Sequence, residues 1–150
     1  MQGFQIESNS SEETLEFGKK IAKNLKPGQI IALNGELGSG KTCLTKGIAL
    51  GIGIKETVTS PTYTIISEYP VNNEILFYHV DAYRLNTERD FTDIGGEEIL
   101  YSGGFCIIEW SDKIKNLLPN NTISIFIEIT GQEKRNITVK GIENFNGVKK

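Results

Sequence analysis

The chain has 150 residues, with a hydrophobic content of 38%, a charged content of 23% and a formal net charge of −3. These values describe a soluble globular protein that is long enough to bury a core. The acidic balance argues against an autonomous DNA- or RNA-binding domain, which usually presents a basic face, and no apolar stretch is long enough to span a membrane.

Chain length and cysteine usage predict a single cytoplasmic domain. Cys43 and Cys106 are too few for a disulfide framework and do not form a zinc-type pair. The N-terminus does not resemble a signal peptide. We therefore expect one domain over residues 1–150, in which the tail from about residue 144 to 150 is frayed.

The first predicted helix begins after a capping box. Ser10 is the candidate N-cap, and Glu13 lies three residues later, a spacing that lets the two side chains satisfy free backbone N–H groups. Apolar and small residues then recur on one helical face, at Leu15, Gly18, Ile21, Ala22 and Leu25. The sequence Lys26-Pro27-Gly28 should end this helix.

A complete phosphate-binding loop, G-x-x-x-x-G-K-T, follows. It consists of Gly35, Glu36, Leu37, Gly38, Ser39, Gly40, Lys41 and Thr42. Glycines let backbone N–H groups turn toward phosphate oxygens, Lys41 reaches the β- and γ-phosphates, and the Thr42 hydroxyl can ligate Mg²⁺. An apolar strand over 30–33 precedes the loop and a helix follows it, so phosphate would lie at a helix N-terminus. We predict that these residues and the adjoining Cys43 bind a nucleotide.

The middle of the chain predicts a hairpin and a short helix. Residues 57–70 are rich in β-branched residues and tyrosine, which indicates a loop leading into a strand. Asn72-Asn73 supplies a turn, and residues 75–80 form the returning strand. Charges and the Gly95-Gly96 pair indicate a short helix on a mobile segment within residues 86–104.

The segment Ser60, Pro61 and Thr62 has two interpretations. It fits a plain turn in which proline fixes φ. It also fits a switch segment, because many GTPases place a threonine in such a loop to sense the γ-phosphate and Mg²⁺. Spacing alone does not separate the two.

The last third of the chain completes the predicted sheet. Residues 105–108 form a buried strand, Ser111 is a candidate cap for a helix through Leu117 and Leu118, and residues 123–129 with 137–139 form a closing hairpin. We therefore predict an α/β fold of three layers, similar to P-loop NTPases, with a mixed and mostly parallel sheet and antiparallel closing strands.

Two acids end predicted strands, where ligands bind in sheets of this kind. Glu109 follows four apolar residues and fits either a metal-binding acid or an ordinary surface glutamate. Asp81 could orient a water or a metal-bound water, and Arg84 could contact phosphate or form an ion pair. His79 shares a strand face with Asp81. We expect His79 and Trp110 to be structural.

Four motifs, in this order and spacing, resemble one family. They are G-E-L-G-S-G-K-T, S-P-T-Y, H-V-D-A-Y-R-L and I-I-E-W. The chain is similar to the bacterial tRNA threonylcarbamoyladenosine-biosynthesis ATPases called TsaE, formerly YjeE, from the first helix to about residue 140. The resemblance implies an ATPase that assists the partner proteins TsaB and TsaD. They place a threonylcarbamoyl group on the adenosine next to the tRNA anticodon, so tRNA is reached only through the complex.

The resemblance also implies Mg²⁺ as cofactor, ATP as substrate and a catalytic set of Asp81, Lys41 and Glu109. Lys41 would hold phosphate, Thr42 and Glu109 would hold the metal, and Asp81 would lie at the catalytic centre. Residues 60–62 would be a switch. Adenine is expected between the N-terminal region and the C-terminal hairpin, where the candidates are Ser11, Thr14, Glu133 and Arg135.

Two other functions stay open at this point. A kinase on the same fold needs several arginines to clamp its phosphates, whereas this chain has only Arg84, Arg89 and Arg135. A nucleotide-dependent switch would act through binding and not through turnover. GTP specificity would usually add an N-K-x-D guanine motif, which is absent from the sequence.

Overall fold

A computed structural model describes residues 3–59 and 65–142. Their strands are β1 (Gly3–Ser8), β2 (Ile30–Gly35), β3 (Ile66–Pro70), β4 (Leu76–Asp81), β5 (Phe105–Glu109), β6 (Ile123–Ile129) and β7 (Arg135–Lys140). Their helices are α1 (Ser11–Ala22), α2 (Lys41–Ile52), α3 (Glu88–Asp93), α4 (Gly96–Leu100) and a 3-10 helix (Ser111–Leu117). None of the described helices is long and apolar enough to cross a membrane.

The seven described strands form one sheet in the order β1-β7-β6-β2-β5-β4-β3. The four strands β6, β2, β5 and β4 pair in parallel, while β7 and β1 on one side and β3 on the other add antiparallel pairs. Five strands consequently point the same way, all except β3 and β7. The predicted mixed sheet with an antiparallel closing hairpin is confirmed.

Helices cover both faces of this sheet, which gives the three predicted layers. On one face, Ile31 and Leu33 of β2 pack in a core with Phe17 of α1 and Ile48 of α2. On the other face, Cys106 and Ile108 of β5 pack with Phe91 of α3 and Leu100 of α4. Alternate residues of the buried strands therefore serve separate cores, as the period of two in a strand requires.

Helices α1 and α2 approach closely because glycines face one another. A Cβ on Gly18 would lie 2.6 Å from the carbonyl oxygen of Leu44 and 2.9 Å from the nitrogen of Ile48. Only a residue without a side chain fits at that distance. The approach fixes α2, and with it the phosphate-binding loop that precedes α2, against the first helix.

Some local features match the sequence predictions and others do not. Ser10 is the N-cap of α1, and its hydroxyl accepts from the N–H of Glu13 at 3.1 Å, as predicted. Strand β1 was not predicted. Ser111 does not cap a helix, because the residue before the 3-10 helix is Trp110 and the Ser111 hydroxyl donates to Asn34 Oδ1 at 3.0 Å. Residues 144–150, the predicted tail, lie outside the described residues.

Candidate functional site

The phosphate-binding loop connects β2 to α2 and depends on its glycines. Gly38 and Gly40 adopt left-handed backbones, with φ of 80° and 105°, which are strained for other residues. A Cβ on Gly35 would lie 2.7 Å from both the Ser39 hydroxyl and the Ile127 carbonyl oxygen. The loop can therefore follow this path only with glycine at these positions.

Lys41, the first residue of α2, is nearly buried, with 6% of its surface exposed. Its Nζ donates to the carbonyl oxygen of Gly35 at 2.6 Å and lies 3.9 Å from the centre of the Trp110 ring, a cation–π contact. Burial lowers the pKa of Lys41, and the nearby carboxylates of Glu109 and Asp81 oppose that shift. The Lys41 side chain is thus held inside the protein beside the loop.

The two candidate acids are adjacent because β4 and β5 run in parallel and in register. Asp81 of β4 lies directly opposite Glu109 of β5 in the strand register, at the carboxyl ends of both strands. Glu109 is 3% exposed, and its Oε2 lies 2.5 Å from Nε2 of the fully buried His79. Asp81 is half-buried, and its Oδ1 accepts from the backbone N–H of Tyr83 at 3.0 Å.

These groups share one cavity of about 480 Å³ above the loop. It is lined by Leu37, Gly38, Gly40, Lys41, Thr42, Cys43, Lys46, Asp81, Glu109 and Trp110. The structure therefore brings together the predicted catalytic residues Lys41, Asp81 and Glu109 and the predicted metal residue Thr42. Of the remaining loop positions, Glu36 is exposed and does not line this cavity.

The donors in this cavity suit Mg²⁺ better than a metal with an all-protein ligand set. Among the described residues, no group of three His, Cys, Asp or Glu side chains could hold a metal ion. Mg²⁺ usually takes one or two protein ligands together with substrate phosphates and water. The Thr42 hydroxyl and the Glu109 carboxylate, which line the same cavity, are a set of that size.

A second cavity of about 240 Å³ lies on the other side of the loop. It is lined by Ser11, Thr14, Ser39, Gly40, Cys43, Gln132, Glu133 and Arg135. All four candidate adenine residues therefore lie together, next to the phosphate-binding loop. The assignment of adenine to this cavity stays a prediction.

Two polar side chains of the second cavity, those of Arg135 and Thr14, already have protein partners. Arg135 donates through Nε to the Ser39 carbonyl oxygen at 2.8 Å and through Nη2 to that of Gly38 at 3.4 Å. Thr14 Oγ1 lies 2.7 Å from the Ser8 hydroxyl. The buried hydroxyl of Ser39 has no hydrogen-bond partner among the described residues. Arg135 thus ties the β6–β7 turn to the phosphate-binding loop.

Two residues expected to be structural lie at the centre of the site. His79 contacts Glu109, and Trp110 lies over Lys41. Trp110 is also the one described non-glycine residue with a left-handed backbone, at φ 59°. The position of Trp110 directly after Glu109 and that of His79 two residues before Asp81 were the available signals. The predicted switch, Ser60 to Thr62, lies outside the described residues.

Similarity to known proteins identifies the family. The family model described as "Threonylcarbamoyl adenosine biosynthesis protein TsaE" matches residues 8–137. A relative from Treponema pallidum, named tRNA threonylcarbamoyladenosine biosynthesis protein TsaE, is 40% identical over 132 residues, which cover 88% of this chain and 96% of the relative. A relative of the same name from Bacillus subtilis is 42% identical over 134 residues, covering 89% of this chain and 82% of the relative.

A solved structure supports the same conclusion for the fold. The crystal structure of Bacillus subtilis YdiB is similar with a TM-score of 0.77 and 34% sequence identity, covering 95% of this chain and 88% of that chain. The predicted P-loop NTPase-like fold is therefore confirmed. From this fold and the family match over residues 8–137, the chain belongs to the TsaE family of tRNA threonylcarbamoyladenosine biosynthesis proteins.

Proposed function

We propose that this chain is a Mg²⁺-dependent ATPase that acts with TsaB and TsaD in tRNA threonylcarbamoyladenosine formation. In this proposal one cytoplasmic domain over residues 1–150 hydrolyses ATP slowly alone and faster with its partners. The observation that carries it is the single cavity lined by Lys41, Thr42, Asp81 and Glu109 next to the phosphate-binding loop.

The proposal gives each of these residues a role in handling phosphate. Lys41 binds the β- and γ-phosphates, because its ammonium is a point charge already held beside the loop. Thr42 and Glu109 hold Mg²⁺, which when bound neutralises charge on the phosphates. Asp81, adjacent to Glu109, orients the attacking water. Ser11, Thr14, Glu133 and Arg135 line the space for adenine.

The positions of the arginines favour hydrolysis over phosphoryl transfer to a small molecule. None of the three lines the cavity that contains Lys41. Arg89 is exposed beside Asp93, and Arg135 donates to backbone carbonyl oxygens. A kinase would need such side chains on its two substrates.

The names of the relatives support a role in this pathway, and the choice of TsaB and TsaD as partners is part of the proposal. Those relatives carry the name of tRNA threonylcarbamoyladenosine biosynthesis. The acidic chain has a net charge of −3 and is poorly equipped to bind tRNA by itself. We therefore propose that it reaches tRNA only through the complex with TsaB and TsaD, and that it contacts neither DNA nor a membrane.

Phosphate release, measured with and without TsaB and TsaD, tests this function. We expect slow Mg²⁺-dependent release by the chain alone and a marked increase with both partners. Lys41→Ala should abolish release, whereas the surface control Lys19→Ala should not, since Lys19 lies far along α1 in an exposed pair with Glu16. Binding of ATP without any release under either condition would reduce the chain to a switch and overturn the ATPase assignment.

A further inference from the structure

Lys41 and Glu109, which carry opposite charges, line the cavity of about 480 Å³ without forming an ion pair. Both are nearly buried. No ion pair within 4.0 Å joins them among the described residues. Attraction between such charges strengthens as water is excluded, so the contacts that each of them makes elsewhere bear on their separation.

Each of the two is held by a different partner. Lys41 donates to the Gly35 carbonyl oxygen at 2.6 Å and lies over the Trp110 ring. Glu109 accepts at Oε2 from His79 at 2.5 Å, and its Oε1 forms no hydrogen bond with the described residues. The carboxylate is thus fixed at one oxygen only.

His79 is placed by the sheet to make this contact. It lies on β4 opposite Ile107 of β5, two residues before Asp81, and is fully buried. Its Nδ1 has no hydrogen-bond partner among the described residues. A carboxylate only accepts hydrogen bonds, so this contact with an ionised Glu109 requires the ring to carry a proton on Nε2 and to donate it. An imidazole used merely to fill the core would not require this orientation.

We propose that His79 is a positioning residue that holds Glu109 away from Lys41 and so keeps Lys41 available to phosphate. The inference rests on the proposed function, in which Lys41 binds the phosphates of ATP. Without the donor at His79, the buried Glu109 carboxylate would lack its hydrogen bond and would turn to the nearest cation. Lys41 would then leave Gly35 and Trp110 for Glu109, and phosphate would have to displace the carboxylate.

A double-mutant cycle on metal-free ATP binding tests this inference. His79→Leu should weaken binding by about tenfold, the scale of coupling between contacting residues. Glu109→Gln in the same chain should restore it, because the competing charge is gone. His79→Gln should stay close to the wild type, since its amide can donate to Glu109. Glu109→Gln alone completes the cycle. If Glu109→Gln raises ATP affinity as much in the wild type as in His79→Leu, His79 is merely structural and the inference is overturned.

Two readouts that need no nucleotide separate this inference from the proposed function. Trp110 is the only tryptophan, so its fluorescence should change in His79→Leu as Lys41 leaves the ring, and should return when Glu109→Gln is added. An unchanged emission contradicts the inference. If the wild-type protein does not bind ATP, the proposed function is wrong. The fluorescence spectra would still test the role of His79.

Nitrogen NMR of the histidine-labelled wild type keeps the inference testable if His79→Leu does not fold. His79 is the only histidine, so its two ring nitrogens give unambiguous signals. We expect the proton on Nε2, protected from exchange. A proton on Nδ1 alone would remove the donor to Glu109 and overturn the inference.

Discussion

The two cavities that flank the phosphate-binding loop differ in how their polar groups are engaged. In the larger, of about 480 Å³, Lys41 and Glu109 are buried but unpaired with each other, and the Thr42 hydroxyl forms no hydrogen bond with the described residues. In the smaller, of about 240 Å³, Arg135 and Thr14 are already hydrogen-bonded to the protein.

This difference indicates a division of labour. Lys41 and Glu109 each have a single hydrogen-bond partner, which leaves ammonium donors and the Oε1 of Glu109 for phosphate and metal, so the larger cavity suits the chemistry. Arg135 and Thr14, which already have protein partners, help to keep the shape of the smaller cavity, where we propose that adenine binds.

The largest effect is expected at Lys41. Lys41→Ala should lower kcat/KM for ATP by about 10⁴-fold, since loss of the charged contact in the ground state adds to loss of charge stabilisation in the transition state. Calorimetry and phosphate release measure the two components. Lys19→Ala, an exposed lysine on α1, is the matched control. Wild-type affinity in the Lys41 variant would exclude this cavity as the phosphate site.

The acids should affect turnover more than binding. Glu109→Ala and Asp81→Ala should each lower kcat by about 10²-fold while nucleotide affinity changes little, because both act on metal or water. Asp93→Ala, in an exposed pair with Arg89, serves as the control for loss of a carboxylate. If either variant hydrolyses ATP at the normal rate with partners present, the acid that it lacks has no catalytic role.

Replacing Arg135 should lower the stability of the fold more than it lowers the rate of ATP hydrolysis. Arg135→Ala removes hydrogen bonds to the carbonyl oxygens of Ser39 and Gly38, and we expect a loss of about 1–2 kcal/mol in the free energy of unfolding. This corresponds to a Tm lower by about 3–6 °C in a domain of this size. The exposed Arg89→Ala should shift Tm hardly at all. Equal shifts in the two variants would show that Arg135 does not stabilise the loop.

The smallest effect is expected at the cysteines. Burial raises the pKa of the Cys43 thiol and raises that of Cys106 to about 12. Less thiolate is therefore present at pH 8 than in a free cysteine, so labelling of Cys43 should be slow and should accelerate as pH rises further. Cys43 lines both cavities, so ATP should slow its labelling, while the fully buried Cys106 stays unlabelled. If saturating ATP does not change the labelling rate of Cys43, the nucleotide binds elsewhere.

Local signals in the sequence accounted for much of the fold. The phosphate-binding loop, the Ser10 cap and the 123–129 strand each depend on residues close in sequence, and all three are found as predicted. Strand β1 was missed although Phe4 and Ile6 alternate with polar residues, because six residues carry a weak signal. Its formation depends on pairing with β7, at the far end of the chain.

The contacts within the site could not be predicted, because they depend on the order of the strands in the sheet and the sequence alone does not determine that order. His79 meets Glu109 only because β4 and β5 are neighbours in parallel register. Likewise, Trp110 reaches Lys41 because its left-handed backbone turns the chain at the end of β5. Residue types and spacing predicted that Lys41, Asp81 and Glu109 belong to one site, but not which residues hold them in place.

Reconstituted tRNA modification tests the central claim most directly. With TsaB, TsaD, their substrates and ATP, we expect modified tRNA to exceed the amount of TsaD many times over only when this chain is present. Glu109→Ala in place of the wild type should confine the reaction to about one turnover. Multiple turnovers that proceed equally well without this chain would contradict the account.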